Sequence, residues 1–165
     1  MPALIKEIGI KDRKNRFAFT LIEMLVVVSI IGILVTISSF GLQGARESAR
    51  DYRRKSDLES IRTALELYRA DCGAYPPESP AGYLVSTIVG SGTPSRCALA
   101  NTYITVTPQD PLTPSHDYRY FRGASGTTYE LCARLEDEAL TDVNCNGGPR
   151  SCGSSGNCNY RTTSQ

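Results

Sequence analysis

The chain has no tryptophan, only one histidine, His116, and only two methionines. A single imidazole means that a Ser-His-Asp or Cys-His arrangement would have to run through His116. That residue sits in the turn-forming segment Pro114-Ser115-His116-Asp117, where a solvated turn residue is expected. No Walker loop and no dinucleotide-type glycine motif occurs, so phosphate cradles of those kinds are excluded. No C-x-x-C occurs, which argues against zinc. Charge of one sign is lacking too. Lys and Arg number 18 against 17 Asp and Glu, so no broad basic excess makes nucleic acid an obligate partner. The Glu/Asp run at 136–138 reads as a solvated strand end rather than an acid/base pair. These features together point away from an enzyme.

What the chain does have is one long apolar run. Phe17 to Phe40 is 24 residues with a single charge, Glu23. At ~1.5 Å per helical residue it reaches roughly 36 Å, against a hydrocarbon core of about 30 Å. Five cations and two acids precede it within residues 1–18, a net charge of +3. That bias keeps the leader cytoplasmic and sends the chain after Phe40 across the membrane. An ordinary secretory signal has a shorter apolar core of ~7–15 residues and a small-residue cleavage pattern, neither of which is found here. A plain anchor with an incidental acid, and a helix stored in the membrane for later packing with copies of itself, both fit. A carboxylate seven residues into such a run is costly and marks function by default. Ser29, Gly32, Thr36 and Ser39 fall at i, i+3, i+7 and i+10, a small-residue stripe of the kind that lets helices approach closely in lipid. Chance would also produce it.

All six cysteines (Cys72, Cys97, Cys132, Cys145, Cys152, Cys158) lie on the translocated side of this run. An even count in an extracytoplasmic domain suggests disulfides. Six cysteines allow 15 connectivities, and spacing does not choose among them; a local Cys152–Cys158 loop is one option.

Residues 45–72 contain no proline and are rich in helix formers. Leu58, Ile61, Leu65, Tyr68 and Cys72 recur at helical spacing and define one buried face. Gly73 suits a C-terminal cap, and Pro76-Pro77 prevents continuation. One helix of roughly 50 residues is expected, with Gly41 and Gly44 as a flexible or partly melted section, or as points of close helix contact. Arg50, Arg53, Arg54 and Lys55 read as a solvated or intersubunit face balanced by Glu47, Asp51, Asp57 and Glu59, with anionic lipid as another possible neighbour. Beyond Pro77, Tyr83–Val89 reads as strand or helical turn and Thr102–Val106 as strand. Asp117–Arg122 and Thr127–Leu135 form a hairpin around Gly123–Gly126, with Tyr129, Leu131, Ala133 and Leu135 facing the helix. The fold class is α+β: a long N-terminal helix, hydrophobic then amphipathic, on a small antiparallel sheet of about three strands. The nine tyrosines are the main bulky residues of this head and are expected in its core with hydroxyls at the rim.

Lys14-Asn15-Arg16-Phe17-Ala18-Phe19-Thr20-Leu21-Ile22-Glu23 resembles the processing site of type IV pilins and type II secretion pseudopilins. The resemblance implies that prepilin peptidase cuts between Ala18 and Phe19, that Phe19 becomes an N-methylated N-terminus, and that Glu23 pairs with the Phe19 amine of a neighbouring subunit. That pairing would set register between copies. The family usually has Gly before the cut, and Ala18 here predicts retained but slower cleavage. Many members also carry a helix-disrupting proline where this chain has Phe40. The organisation that follows is a leader, 1–18; a membrane and filament-core helix, 19–40; its amphipathic continuation, 41–73; and a pilin-like head with a Cys-rich tail, 74–165.

The order helix, Tyr75-Pro76, irregular segment, Asp110-Pro111, Tyr-rich hairpin and polar tail also resembles the major pseudopilin of type II secretion and related short pilins. Such proteins bind calcium after the last sheet strand. Asp142-Val143-Asn144-Cys145-Asn146-Gly147 matches the first half of a D-x-N-x-N-G loop, with Asp137 nearby. Gly153 stands where that loop needs Glu, so Asp137, Asp142, Asn144 and Asn146 as calcium ligands compete with a disulfide-stapled Asn/Gly turn. The first functional expectation is a structural subunit of a type IV pilus-like filament, a homo-oligomer residing in the cytoplasmic membrane before assembly and outside it afterwards. The resemblance also implies an assembly platform and ATPase as partners. A type II secretion major pseudopilin is the alternative. The rival from another class is a membrane-anchored extracellular binding domain that never polymerises.

Overall fold

The computed structural model describes residues 19–136 and 141–164, and for residues 39–41 the backbone alone. Helix α1 runs Leu21–Cys72, 52 residues, and is helical through both Gly41 and Gly44. The expected melted section is therefore absent from this structure: two isolated glycines cost about 1 kcal/mol each in a helix interior, too little to break one flanked by strong formers. The chain divides into two compact units, 1–42 and 43–165, and the boundary falls between those glycines.

In the first unit, α1 begins at a Thr20 cap. The Glu23 amide donates to Thr20 Oγ1 at 3.3 Å and the Met24 amide to the Thr20 carbonyl at 3.2 Å. Thr20-x-x-Glu23 is the sequence form of a capping box. The apolar side chains from Leu21 to Ile37 are exposed. This is the one helix among the described residues long and apolar enough to cross a membrane.

In the second unit, α1 ends as expected: Gly73 adopts φ +80° and its amide donates to the Arg69 carbonyl at 2.8 Å, a left-handed cap that a Cβ would strain. Among the described residues three small antiparallel sheets follow. β1 (Ile88–Val89) pairs with β2 (Thr102–Ile104). β3 (Arg119–Arg122), β4 (Tyr129–Ala133) and β7 (Tyr160–Thr163) form a three-stranded sheet in the order β3-β4-β7. β5 (Asn144–Cys145) and β6 (Gly148–Pro149) make a short ribbon. The third strand of the main sheet comes out of the polar tail, and Thr102–Ile104 lies in a separate ribbon.

The predicted helix face is the core. Leu58, Ile61, Leu65 and Tyr68 are buried against Tyr75, Ile88, Tyr120, Tyr129, Leu131 and Ala133, with Cys72 packed at the margin. Burying a Leu- or Ile-sized side chain contributes roughly 1.5–3 kcal/mol, so this seam supplies most of the head's cohesion. The tyrosine hydroxyls reach back to acids on α1: Tyr118 donates to Asp57 at 2.9 Å, Tyr75 to Glu66 at 2.9 Å and Tyr103 to Asp71 at 2.9 Å. A large ring is thereby buried without orphaning its hydroxyl.

Candidate assembly site

Phe19 and Thr20 precede α1, and Glu23 sits in its first turn. Residues 1–18, Ala18 included, lie outside the described residues. A carboxylate near a helix N-terminus is favoured by the macrodipole. Among the described residues Glu23 has no ion-pair partner, and the residues around it, Phe19, Leu21, Ile22 and Met24, are exposed. The unit thus presents an acid at one end of an uncovered apolar helix. Three hydroxyls along that helix are satisfied internally. Ser29 Oγ donates to the Leu25 carbonyl, Thr36 Oγ1 to Gly32 and Ser38 Oγ to Leu34, each at 2.8 Å. These three hydroxyl donors are therefore met within the helix, as a hydrocarbon environment requires. Gly32 has open space where a Cβ would stand. Ser29 and Thr36 are exposed among the described residues; the Ser39 side chain is outside the described set.

In the head, a buried ionic cluster joins α1 to two distant loops. Arg54 is fully buried. Its Nε and Nη2 donate to the two oxygens of Asp110 at 2.7 and 3.0 Å, and Nη1 donates to Asp51 at 2.7 Å and Glu136 at 2.6 Å. Arg50 grips Glu136 from the other side, with Nε at 2.6 Å. Burial works against the Arg54 charge, but its hydrogen bonds to Asp110, Glu136 and Asp51 outweigh that and raise its pKa. The hydrogen bond from Arg50, helped by Arg54, pulls the Glu136 carboxyl down to about 2. Asp110 also accepts the Leu112 amide at 2.8 Å, and Asp51 accepts the Glu136 amide at 3.0 Å.

This cluster corrects three expectations. Arg54 is not on a solvated face; helix geometry turns it toward the seam, one turn before Leu58. Glu136 is not a solvated strand end, because two arginines hold it. His116 is buried rather than solvated, and burial followed by the nearby Arg54 charge lowers its pKa. The other members of the basic run do face outward or to neighbours: Arg53 is 4.0 Å from Asp57, and the Lys55 ammonium lies 5.8 Å from the centre of the Tyr160 ring.

Cys72 pairs with Cys97, Cys132 with Cys145, and Cys152 with Cys158. Asn146 (φ 52°) and Gly147 (φ 77°) form the tight turn between β5 and β6, tied to β4 by the Cys132–Cys145 bond. The Asn146 amide donates to Glu130 at 2.6 Å, the Asn144 carbonyl accepts from Arg161 at 2.8 Å, and the Asp142 carboxylate is held by Asn157 at 2.9 Å and by Arg134 at 3.7 Å. Among the described residues no three His, Cys, Asp or Glu side chains gather as metal ligands. Of the proposed calcium set, Asp142, Asn144 and Asn146 lie along this stapled turn, and Asp137 lies outside the described residues.

Comparison with known families matches residues 13–39 to the prokaryotic N-terminal methylation motif and residues 42–145 to type II secretion system protein G. The chain is similar to the type II secretion system core protein G of Aeromonas hydrophila, 33% identical over 133 residues, covering 79% of this chain and 91% of that one. It is 31% identical over 118 residues to the core protein G of Vibrio cholerae (71% and 79% covered), and 31% identical over 121 residues to that of Escherichia coli K12 (72% and 81%). No solved structure matches significantly.

Proposed function

This chain belongs to the type II secretion system protein G family, whose members are structural pseudopilin subunits, and on that premise we propose that it polymerises into the periplasmic pseudopilus that drives protein export. The carrying observation is where the family match falls. Surface pilins and pseudopilins share the N-terminal motif, so residues 13–39 do not separate them; the protein G match covers residues 42–145, the head and its supporting helix. It therefore favours the secretion pseudopilus over the surface pilus that the residues alone put first.

In this reading the precursor rests in the cytoplasmic membrane through residues 19–40. Prepilin peptidase removes residues 1–18 and Phe19 is methylated. The subunit is then drawn out of the bilayer by platform and ATPase components, and its apolar helix exchanges lipid for the helices of other copies. Glu23 has a specific task in that exchange. A carboxylate entering an apolar bundle needs a cation, and the Phe19 amine of the neighbouring copy supplies one at a fixed axial offset. The uncovered stripe at Ser29, Gly32 and Thr36 supports close helix approach. Deleting the gene and restoring it tests the reading. Secreted proteins should accumulate in the periplasm of the deletion strain while surface fibres persist. Intact secretion with loss of surface fibres would instead identify a pilin.

A further inference from the structure

The three disulfides join the six cysteines in chain order: first to second, third to fourth, fifth to sixth. We propose that the head is the substrate of an external thiol-oxidising disulfide, that it is oxidised cysteine by cysteine as it emerges across the membrane, and that it reaches native pairing without a reshuffling step. The proposal rests on the export reading above.

The tail needs these bonds to fold. Cys132, Cys145, Cys152 and Cys158 are fully buried and form a cluster of their own, against which, among the described residues, Phe121 and Val143 pack. Half-cystines thus make up much of the buried interior of the described part of the segment between β4 and β7, beside Leu135. β7 is reached only through this segment. It docks on β4 in the register Ala133–Tyr160 to Glu130–Thr163, beside Asn159, whose side chain pins the Leu135 backbone at 2.6 and 2.9 Å. Completion of the main sheet therefore depends on bonds 132–145 and 152–158.

Chain entropy does not select this pairing. Cys145 and Cys152 are seven residues apart, Cys152 and Cys158 six, and closure costs for such loops are equivalent. Order of emergence does select it. Cys132 is already outside when Cys145 arrives, and Cys145 is consumed before Cys152 appears. Once formed, the buried tail sulfurs are out of reach of an attacking thiolate, which closes the route to later exchange.

Each bond forms in two steps. A cysteine thiolate attacks one sulfur of the oxidant's disulfide and expels the oxidant's other thiolate. The second cysteine thiolate then attacks the mixed disulfide at the protein's own sulfur and releases the oxidant. Two electrons and two protons leave with the oxidant's dithiol.

The test uses the full chain in cells lacking the extracytoplasmic thiol oxidant, in cells lacking the disulfide isomerase, and in the parent, with disulfides mapped by peptide mass spectrometry after alkylation. Native pairs at unchanged yield without isomerase, together with reduced, protease-sensitive tails without the oxidant, are expected. A need for isomerase, or native pairs at full yield without the oxidant, overturns the proposal. Cys145→Ser gives a second arm that reads bond identity rather than folding. Sequential oxidation predicts that Cys132 captures Cys152 and leaves Cys158 free. A retained 152–158 bond with free Cys132 would mean that the fold, not emergence, directs pairing. Protease access to the head from outside spheroplasts reports export separately: a protected head in every strain contradicts the export reading and the proposal with it.

Discussion

The Arg54 guanidinium lies fork-on-fork against the Asp110 carboxylate, 56 residues away in the chain, with neither side chain exposed. The pair ties the middle of α1 to the loop entering Pro111, and Glu136 and Asp51 complete the shell. A buried pair of this kind is costly to break because the surviving charge stays buried.

Arg54→Met should destabilise the head by about 3–5 kcal/mol. Arg54→Lys keeps the charge but loses the planar fork, and should still cost roughly 1–3 kcal/mol. Denaturant unfolding of the full chain in detergent, followed by tyrosine fluorescence, checks both. Wild-type stability in Arg54→Met would mean that the cluster is incidental.

The cluster also sets the acid response. The Glu136 pKa is depressed to about 2, so its stabilisation is fully present above the ordinary carboxylate range and is lost as pH falls from there toward 2. The lowered His116 pKa acts in the same direction at higher pH: its contribution is complete above the unfolded histidine value and declines as pH drops through the folded one. The melting temperature should fall in two stages on acidification. Glu136→Gln should flatten the lower stage and His116→Gln the upper.

Two neighbouring leucines on α1 separate packing from propensity. Leu65 is 0% exposed and Leu67 is 54% exposed. Leu65→Ala should cost about 2–5 kcal/mol, and Leu67→Ala no more than about 0.5 kcal/mol. Similar losses at the two sites would contradict the assigned helix face.

The Leu58–Cys72 face was legible because a 3.6-residue period needs only a local window. The β3–β4 hairpin was legible because two alternating runs flank a Gly/Ser turn. β7 was not: Tyr160-Arg161-Thr162-Thr163 is four residues long, follows a Gly/Ser/Asn-rich stretch, and becomes a strand only because β4 offers an open edge. Arg54 and Glu136 were misplaced for a related reason. Their partners are 56 and 82 residues apart, and charge patterning along one helix weighs only near neighbours. Thr20-x-x-Glu23 is a local signal in the sequence, and the Thr20 cap it encodes is present in the structure.

The register role proposed for Glu23, beside its place in the first turn of α1, yields its own prediction. Glu23→Ala removes a carboxylate from a helix N-terminus, an effect of about 0.3–1 kcal/mol, and should leave membrane insertion intact. Pseudopilus formation should nevertheless be lost, with Glu23→Asp intermediate because its shorter reach weakens the pairing with the Phe19 amine. Normal pseudopilus yield from Glu23→Ala, measured after shearing or crosslinking, would remove the register role.

The central claim is that residues 1–18 are a leader and that assembly begins from a new N-terminus at Phe19. Intact-mass and N-terminal peptide mass spectrometry of the protein recovered from the membrane test it directly. The account predicts a chain beginning at Phe19 with one added methyl group, and a small unprocessed fraction reflecting slower cleavage at Ala18. A mature chain that retains residues 1–18 would contradict it.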